Sequence, residues 1–149
     1  HSIWFIGGSV MLRPFKFYVQ QKKVKRVAPD LPEAKGLIRT GVEDLETTIN
    51  LITLSDEKAS YFFKNVYESV RSVLQANLAK AGYKPYSHEA IISFNLEEGI
   101  ISNSEAVKLD KFRQIRNDLV YRAEHATVEE ARALLELAET LIARLKEQN

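Results

Sequence analysis

The stretch from Ser55 to Gly82 constrains the fold more than any other part of the chain. Its apolar residues Ala59, Phe62, Phe63, Val66, Val70, Val73, Leu74 and Leu78 recur three and four positions apart. That is the period of one face of an α-helix. Ser55 supplies an N-terminal cap, and Asp56 and Glu57 fall in the first turn, where the helix dipole favours acids. Gly82 supplies the stop. A helix this long with one apolar face needs other helices to cover it.

The chain provides them. An earlier helix is expected from about Pro32 to Leu54, with Ala34, Ile38, Gly41, Leu45, Thr48 and Ile52 on a narrow helix-packing stripe. Tyr83 to Tyr86 read as a turn around Pro85, and Ser87 as the cap of a short third helix through about Leu96. Gly99 and the polar run Ser102 to Ser104 separate it from a fourth helix, about Glu105 to Ala123. Thr127 and Glu130 have capping-box spacing, and the last helix follows with Val128, Ala131, Leu134, Leu135, Ala138, Leu141, Ile142 and Leu145 inward. The expected fold is all-α, an antiparallel bundle of about five helices over residues 31–149. Residues 1–30 form a short extended arm. Phe15 to Val27 alternate weakly and suit a strand or hairpin, which Pro29 and Pro32 stop. There is no internal repeat and no low-complexity segment.

Composition narrows the class. An apolar share of 45% and a charged share of 28% are ordinary for a globular chain of 149 residues, enough for one domain with a real core. The absence of cysteine excludes disulfides and thiolate metal sites and fits a reducing cytoplasm. No stretch is long and apolar enough to cross a membrane. The opening HSIWFIGGSVML is apolar but has no basic leading region or cleavage site, which argues against a signal peptide. Met11 is the only methionine and reads as a natural start, with residues 1–10 an upstream extension. The net charge is +1, but Arg13, Lys16, Lys22, Lys23, Lys25 and Arg26 all precede the first acid, Asp30. Such an arm meets phosphate backbones or an acidic partner, or docks on its own domain. No glycine-rich phosphate loop, zinc-ligand spacing or Gly-x-Ser-x-Gly elbow is present. Tyr61, Phe62, Phe63 and Tyr67 lie at helical spacing and read as packing, not as a base-stacking platform.

The chemistry concentrates in Ile115 to Arg122, IRNDLVYR. Leu109, Phe112, Leu119 and Ala123 follow one another at helical spacing, and Arg116 falls on the same stripe. A guanidinium keeps its proton, so on a buried seam it needs a partner or a wet groove. Two readings stay open. Arg116 is tied to Asp118, Glu68 or a partner subunit, or it holds an anionic ligand. Asn117, Asp118 and Tyr121 add an amide, a carboxylate and a phenol.

These residues resemble a known family, the HEPN domains (higher eukaryotes and prokaryotes nucleotide-binding). That family carries an arginine, then a polar residue that is usually asparagine, with a histidine four to six positions after the arginine. Arg116 and Asn117 match; the fifth position after Arg116 is Tyr121. YKPYSHEAIISF, Tyr83 to Phe94, and the preceding EKASYFFKNVYESVRSVLQANLAKAGY are similar to the middle of archaeal and bacterial members. The resemblance runs from about Leu31 to Lys146.

The resemblance implies a module related to toxin-type, metal-independent endoribonucleases, with no cofactor and no metal. Arg116 would hold the scissile phosphate and Asn117 would orient the group. A histidine would move the proton, because it titrates near neutrality. A tyrosine titrates near 10, so Tyr121 is a degenerate substitute that still donates a hydrogen bond. Binding of RNA or a nucleotide is therefore expected, with weak or no cleavage. His125, nine positions after Arg116, folds back to the site or is a loop histidine. His88 reads as a first-turn residue of the short helix. Glu68 is the candidate acid facing the motif, or the member of a surface salt bridge. Ala123 stands where some relatives carry a tyrosine that a nucleotidyltransferase adenylylates, so that switch is not expected in its usual form. The family also implies a homodimer. The alternative function is a non-enzymatic partner of a minimal nucleotidyltransferase, in a pair of toxin–antitoxin type.

Overall fold

The computed structural model describes residues 12–148, and the fold there is all-α. Six helices and one two-stranded ribbon follow in the order α1 (Phe15–Gln20), β1 (Val24–Arg26), α2 (Leu31–Leu51), α3 (Ala59–Ala81), β2 (Tyr83–Pro85), α4 (His88–Glu97), α5 (Asn103–Tyr121) and α6 (Val128–Glu147). Two compact units share the chain. Among the described residues, the first comprises 12–34 and 74–111, the second 35–73 and 112–148. The expectation about Met11 and residues 1–10 lies outside the described residues.

In the first unit, the expected strand over Phe15 to Val27 is corrected. Only Val24–Arg26 is extended, and Phe15–Gln20 is helical. Pro14 presets the entry to α1 with φ −58°, and the Glu97 carboxylate accepts the Phe15 N–H at 2.8 Å. The residues that α1 buries, Phe15 and Tyr18, are one turn apart, so the helical period overrides the weak alternation. Lys22 ends the helix in the left-handed region at φ 59°, while the Lys23 N–H closes onto the Tyr18 carbonyl. β1 then pairs antiparallel with β2, Val24 opposite Pro85, Lys25 opposite Lys84 and Arg26 opposite Tyr83. The turn expected at Tyr83 to Tyr86 is thus a strand, because its backbone finds a partner far away in sequence. Phe15, Tyr83 and Phe94 pack as an aromatic trio, with Phe15 edge-on to the other two at 5.0 and 5.1 Å. Gly82 has φ +87°, and a Cβ there would sit 2.7 Å from the Val27 carbonyl oxygen, so no other residue fits without movement.

α4 starts where Ser87 accepts the Ala90 N–H and ends at Gly99, φ +72°, with the Ile100 N–H bonded to the Asn95 carbonyl. Asn95 is fully buried and satisfied. Its amide donates to the Leu74 and Ile91 carbonyls and its oxygen accepts from Asn77.

In the second unit, α2 and α3 approach closely at Gly41, where a Cβ would lie 2.8 Å from both the Ser69 carbonyl oxygen and Val73. Ser72 donates to the Leu37 carbonyl at 2.7 Å across the same contact. All eight apolar positions expected inward on α3 are buried. That helix starts at Ala59, four residues after Ser55, whose carbonyl instead closes a turn with Lys58. Tyr61, expected to pack, is 60% exposed. α2 begins where Asp30 caps the Glu33 N–H and ends at Leu51, not Leu54. α6 carries the full capping box at Thr127 and Glu130. It buries Leu137 in addition to most of the expected face, while Val128 and Leu135 are half-buried.

Candidate functional site

The motif helix α5 opens with a second capping box. Ser102 accepts the Glu105 N–H at 3.1 Å, and Glu105 accepts the Ser102 N–H at 2.9 Å. It ends at Tyr121, two residues before the expected Ala123. Ala123 is left-handed at φ 54° and exposed, so it does not extend the apolar stripe. Leu109, Phe112 and Leu119 are buried as expected. Phe112 packs edge-on to Phe63 of α3, ring centres 5.9 Å apart.

That packing places Arg116, one turn after Phe112, beside α3. Its side chain is 20% exposed and its Nη2 lies 3.6 Å from Oε1 of Glu68. Glu68 uses its other oxygen to accept from Nε of Arg71 at 2.6 Å. Nη1 of Arg116 donates to Oδ1 of Asn117 at 3.4 Å, a long and weak contact. Of the two partners within the chain left open by the sequence, Glu68 is the one that meets Arg116. Asp118 turns to Arg122 instead, 3.7 Å away and one turn on. At 42% exposure Glu68 is well solvated, so each pair contributes no more than about 1 kcal/mol.

Tyr67, whose spacing predicts packing alone, adds a further group. It is 4% exposed, and burial pushes its phenol well above the usual range. Arg113, Arg116 and Arg71 pull the other way and Glu68 adds to the rise. Three guanidiniums and one carboxylate thus act on one buried phenol. Arg113 was missed in the sequence, yet its position three before Arg116 puts both on one side of α5.

The remaining motif residues face elsewhere. Tyr121 is five positions after Arg116, roughly 140° around the helix, and is 75% exposed. With Gln114, Asn117, Asp118 and Arg122 it lines an open polar depression of about 480 Å³. Asn117 therefore belongs to both surroundings, touching Arg116 and lining the depression with Tyr121. His125 is exposed in the loop after Ala123. His88 opens α4 in the first unit, as expected of a first-turn residue. Among the described residues no group of three or more His, Cys, Asp or Glu side chains is arranged to hold a metal ion, and no helix is long and apolar enough to cross a membrane.

No protein-family model, curated protein or solved structure matches the chain.

Proposed function

We propose that this chain is a HEPN-type module that binds RNA or a nucleotide through Arg116 and Asn117 and cleaves RNA weakly or not at all. One observation carries the reading. Arg116 sits on the packing side of α5 with its charge only partly matched, because Glu68 is shared with Arg71. A carboxylate shared between two arginines leaves local positive charge for a phosphate to neutralise. Asn117 stands next to that charge and also opens onto the depression with Tyr121. Tyr121 offers a hydrogen bond where a histidine would be needed to move a proton, which favours binding over catalysis. The reading includes a homodimer, for which exposed Val120 and Tyr121 at the end of α5 supply contact surface, and a cytoplasmic setting, which fits a chain without cysteine.

The test is binding and cleavage of labelled RNA and of nucleotides by purified protein with chelator present. Arg116→Ala weakens binding most, because a charge-assisted contact is lost. Tyr121→Phe weakens it by one hydrogen bond, roughly 0.5–1.5 kcal/mol. Tyr121→His raises metal-independent cleavage, since it restores a group that titrates near neutrality. If Arg116→Ala binds RNA and nucleotides as well as the wild type, the reading fails. Sedimentation showing only monomer at micromolar concentration removes the homodimer.

A further inference from the structure

Basic side chains are gathered a second time, on the β1–β2 ribbon of the first unit. No acid occurs between Leu12 and Pro29, and none between Ser69 and His88. The ribbon joins these two acid-free stretches. Its register sets Lys25 directly opposite Lys84, and the Tyr86 N–H donates to the Lys23 carbonyl at 2.8 Å. Side chains alternate across a strand, so Lys25 and Lys84 share the side of the ribbon away from buried Val24, and the Tyr86–Lys23 backbone bond, which continues the ladder past both strands, brings Lys23 and Tyr86 beside them. All four are exposed. Lys23, Lys25 and Lys84 have no salt-bridge partner among the described residues.

Two features separate this face from an ordinary solvated surface. Like charges directly opposite on paired strands repel, so the Lys25–Lys84 pair works against the ribbon that carries it. Tyr86 is 60% exposed and stands opposite Lys23, beside the Lys25–Lys84 pair, with the Lys84 ammonium 5.9 Å from its ring centre. Its neighbour Tyr83 is used in the opposite way, packed against Phe15 and Phe94. The backbone beneath is held by that trio and by the tight approach at Gly82, so the patch sits on a fixed support.

We infer that this face of the ribbon binds single-stranded nucleic acid, the lysines meeting successive phosphates and Tyr86 stacking on a base. A short cationic patch beside an exposed aromatic ring is the combination that holds single strands without reading sequence. A lipid surface fits less well, because the face offers one phenol and a single part-exposed valine, Val27, which is too little apolar area to insert. The site uses residues of the first unit only and stands apart from the reading of Arg116.

The experiment is fluorescence anisotropy of the full chain with labelled oligo-U and oligo-dT of about twenty nucleotides across a series of salt concentrations. Vesicles of mixed phosphatidylserine and phosphatidylcholine form a separate arm. Lys25→Gln/Lys84→Gln weakens both oligonucleotides about tenfold or more at low salt. It flattens the salt dependence by about 1.4 in log–log slope, each phosphate on a single strand contributing about 0.7. Tyr86→Ala weakens binding about tenfold and leaves the slope unchanged. The double lysine variant melts no lower than wild type, because a repulsive pair is removed. Equal losses on oligo-U and oligo-dT assign the site to the shared backbone; a loss confined to oligo-U assigns it to RNA. Arg116→Ala is the control for the other reading. If it abolishes oligonucleotide binding while the lysine and Tyr86 variants bind like wild type, the ribbon proposal falls and that of Arg116 stands. Loss of vesicle binding with oligonucleotide binding intact also overturns it.

Discussion

Helices α5 and α6 are built alike and used differently. They have 19 and 20 residues, and each opens with a capping box. α6 buries seven side chains, every one apolar, from Ala131 to Leu145. α5 buries Ala106, Leu109, Phe112 and Leu119 but also Asp110, and places half-buried Arg113 and Arg116 on the side that packs. Where α6 would continue with leucine, α5 presents a guanidinium that meets a shared carboxylate. Burying such groups costs stability unless they are paired, and replacing them with apolar residues is often neutral or favourable. The contrast teaches that α6 exists to close the second unit, whereas α5 gives up packing to display charge.

The sharpest way to break that comparison is to delete packing from α6. Leu141 is fully buried, and Leu141→Ala leaves a cavity that costs about 2–5 kcal/mol. Urea unfolding followed by circular dichroism reads the loss. A loss below about 1 kcal/mol would mean that α6 does not close the core.

The helix ends should not differ. Thr127→Ala and Ser102→Ala each remove one cap, at a cost of about 1 kcal/mol. Near-equal losses in the same unfolding assay would locate the difference between the helices on their faces. Unequal losses would place part of it at their ends.

Arg116→Leu tests the face of α5 itself. Glu68 is solvated and keeps Arg71, so no stranded charge is left behind. Stability is expected to change by less than about 1 kcal/mol in either direction, while RNA or nucleotide binding drops. A destabilisation comparable to that of Leu141→Ala would make Arg116 a structural anchor and would remove the argument that its charge is there for a ligand.

How much of this was legible in the sequence follows from the range of the forces involved. Caps act over three residues, so Ser87, Thr127 and Glu130 could be read directly. Long stripes on α3 and α6 repeat often enough to average out local exceptions. Phe15–Gln20 is too short for that: two buried positions one turn apart were outweighed by an apparent alternation. The β1–β2 pairing was hidden because nothing in Tyr83 to Pro85 alone shows that its partner lies almost sixty residues earlier. At the candidate site, Glu68 was legible as an acid on the polar edge of α3, and Arg116 as a charge on an apolar stripe. The separation of Tyr121 from Arg116 was also implicit, since five residues do not complete a whole number of turns. The phenol of Tyr67 was not legible, because a tyrosine at core spacing looks the same whether or not arginines surround it.

Tyr67 supplies the last test and, up to pH 10, the smallest effect. Its folded-state proton is held more tightly than the unfolded one, chiefly by burial. Well below pH 10, the unperturbed tyrosine value, both states keep the proton and Tyr67 adds nothing to the pH dependence. As the pH rises through that value, the unfolded state releases its proton first and binds fewer than the folded state. Stability then falls with pH, and continues to fall until the folded phenol also ionises. The effect is about 0.4 kcal/mol at pH 10 and steepens towards about 1.4 kcal/mol per pH unit above it. Urea midpoints measured from pH 8 to 11 on wild type and Tyr67→Phe isolate this term, because the other tyrosines and the lysines are common to both proteins. The wild type should lose stability more steeply above pH 10, with parallel curves below pH 9. Parallel curves throughout would mean that the phenol ionises as easily when folded as when unfolded. The three arginines would then offset burial in full, and the positive charge credited to the α3–α5 face would be stronger than the geometry of Glu68 and Arg116 alone implies.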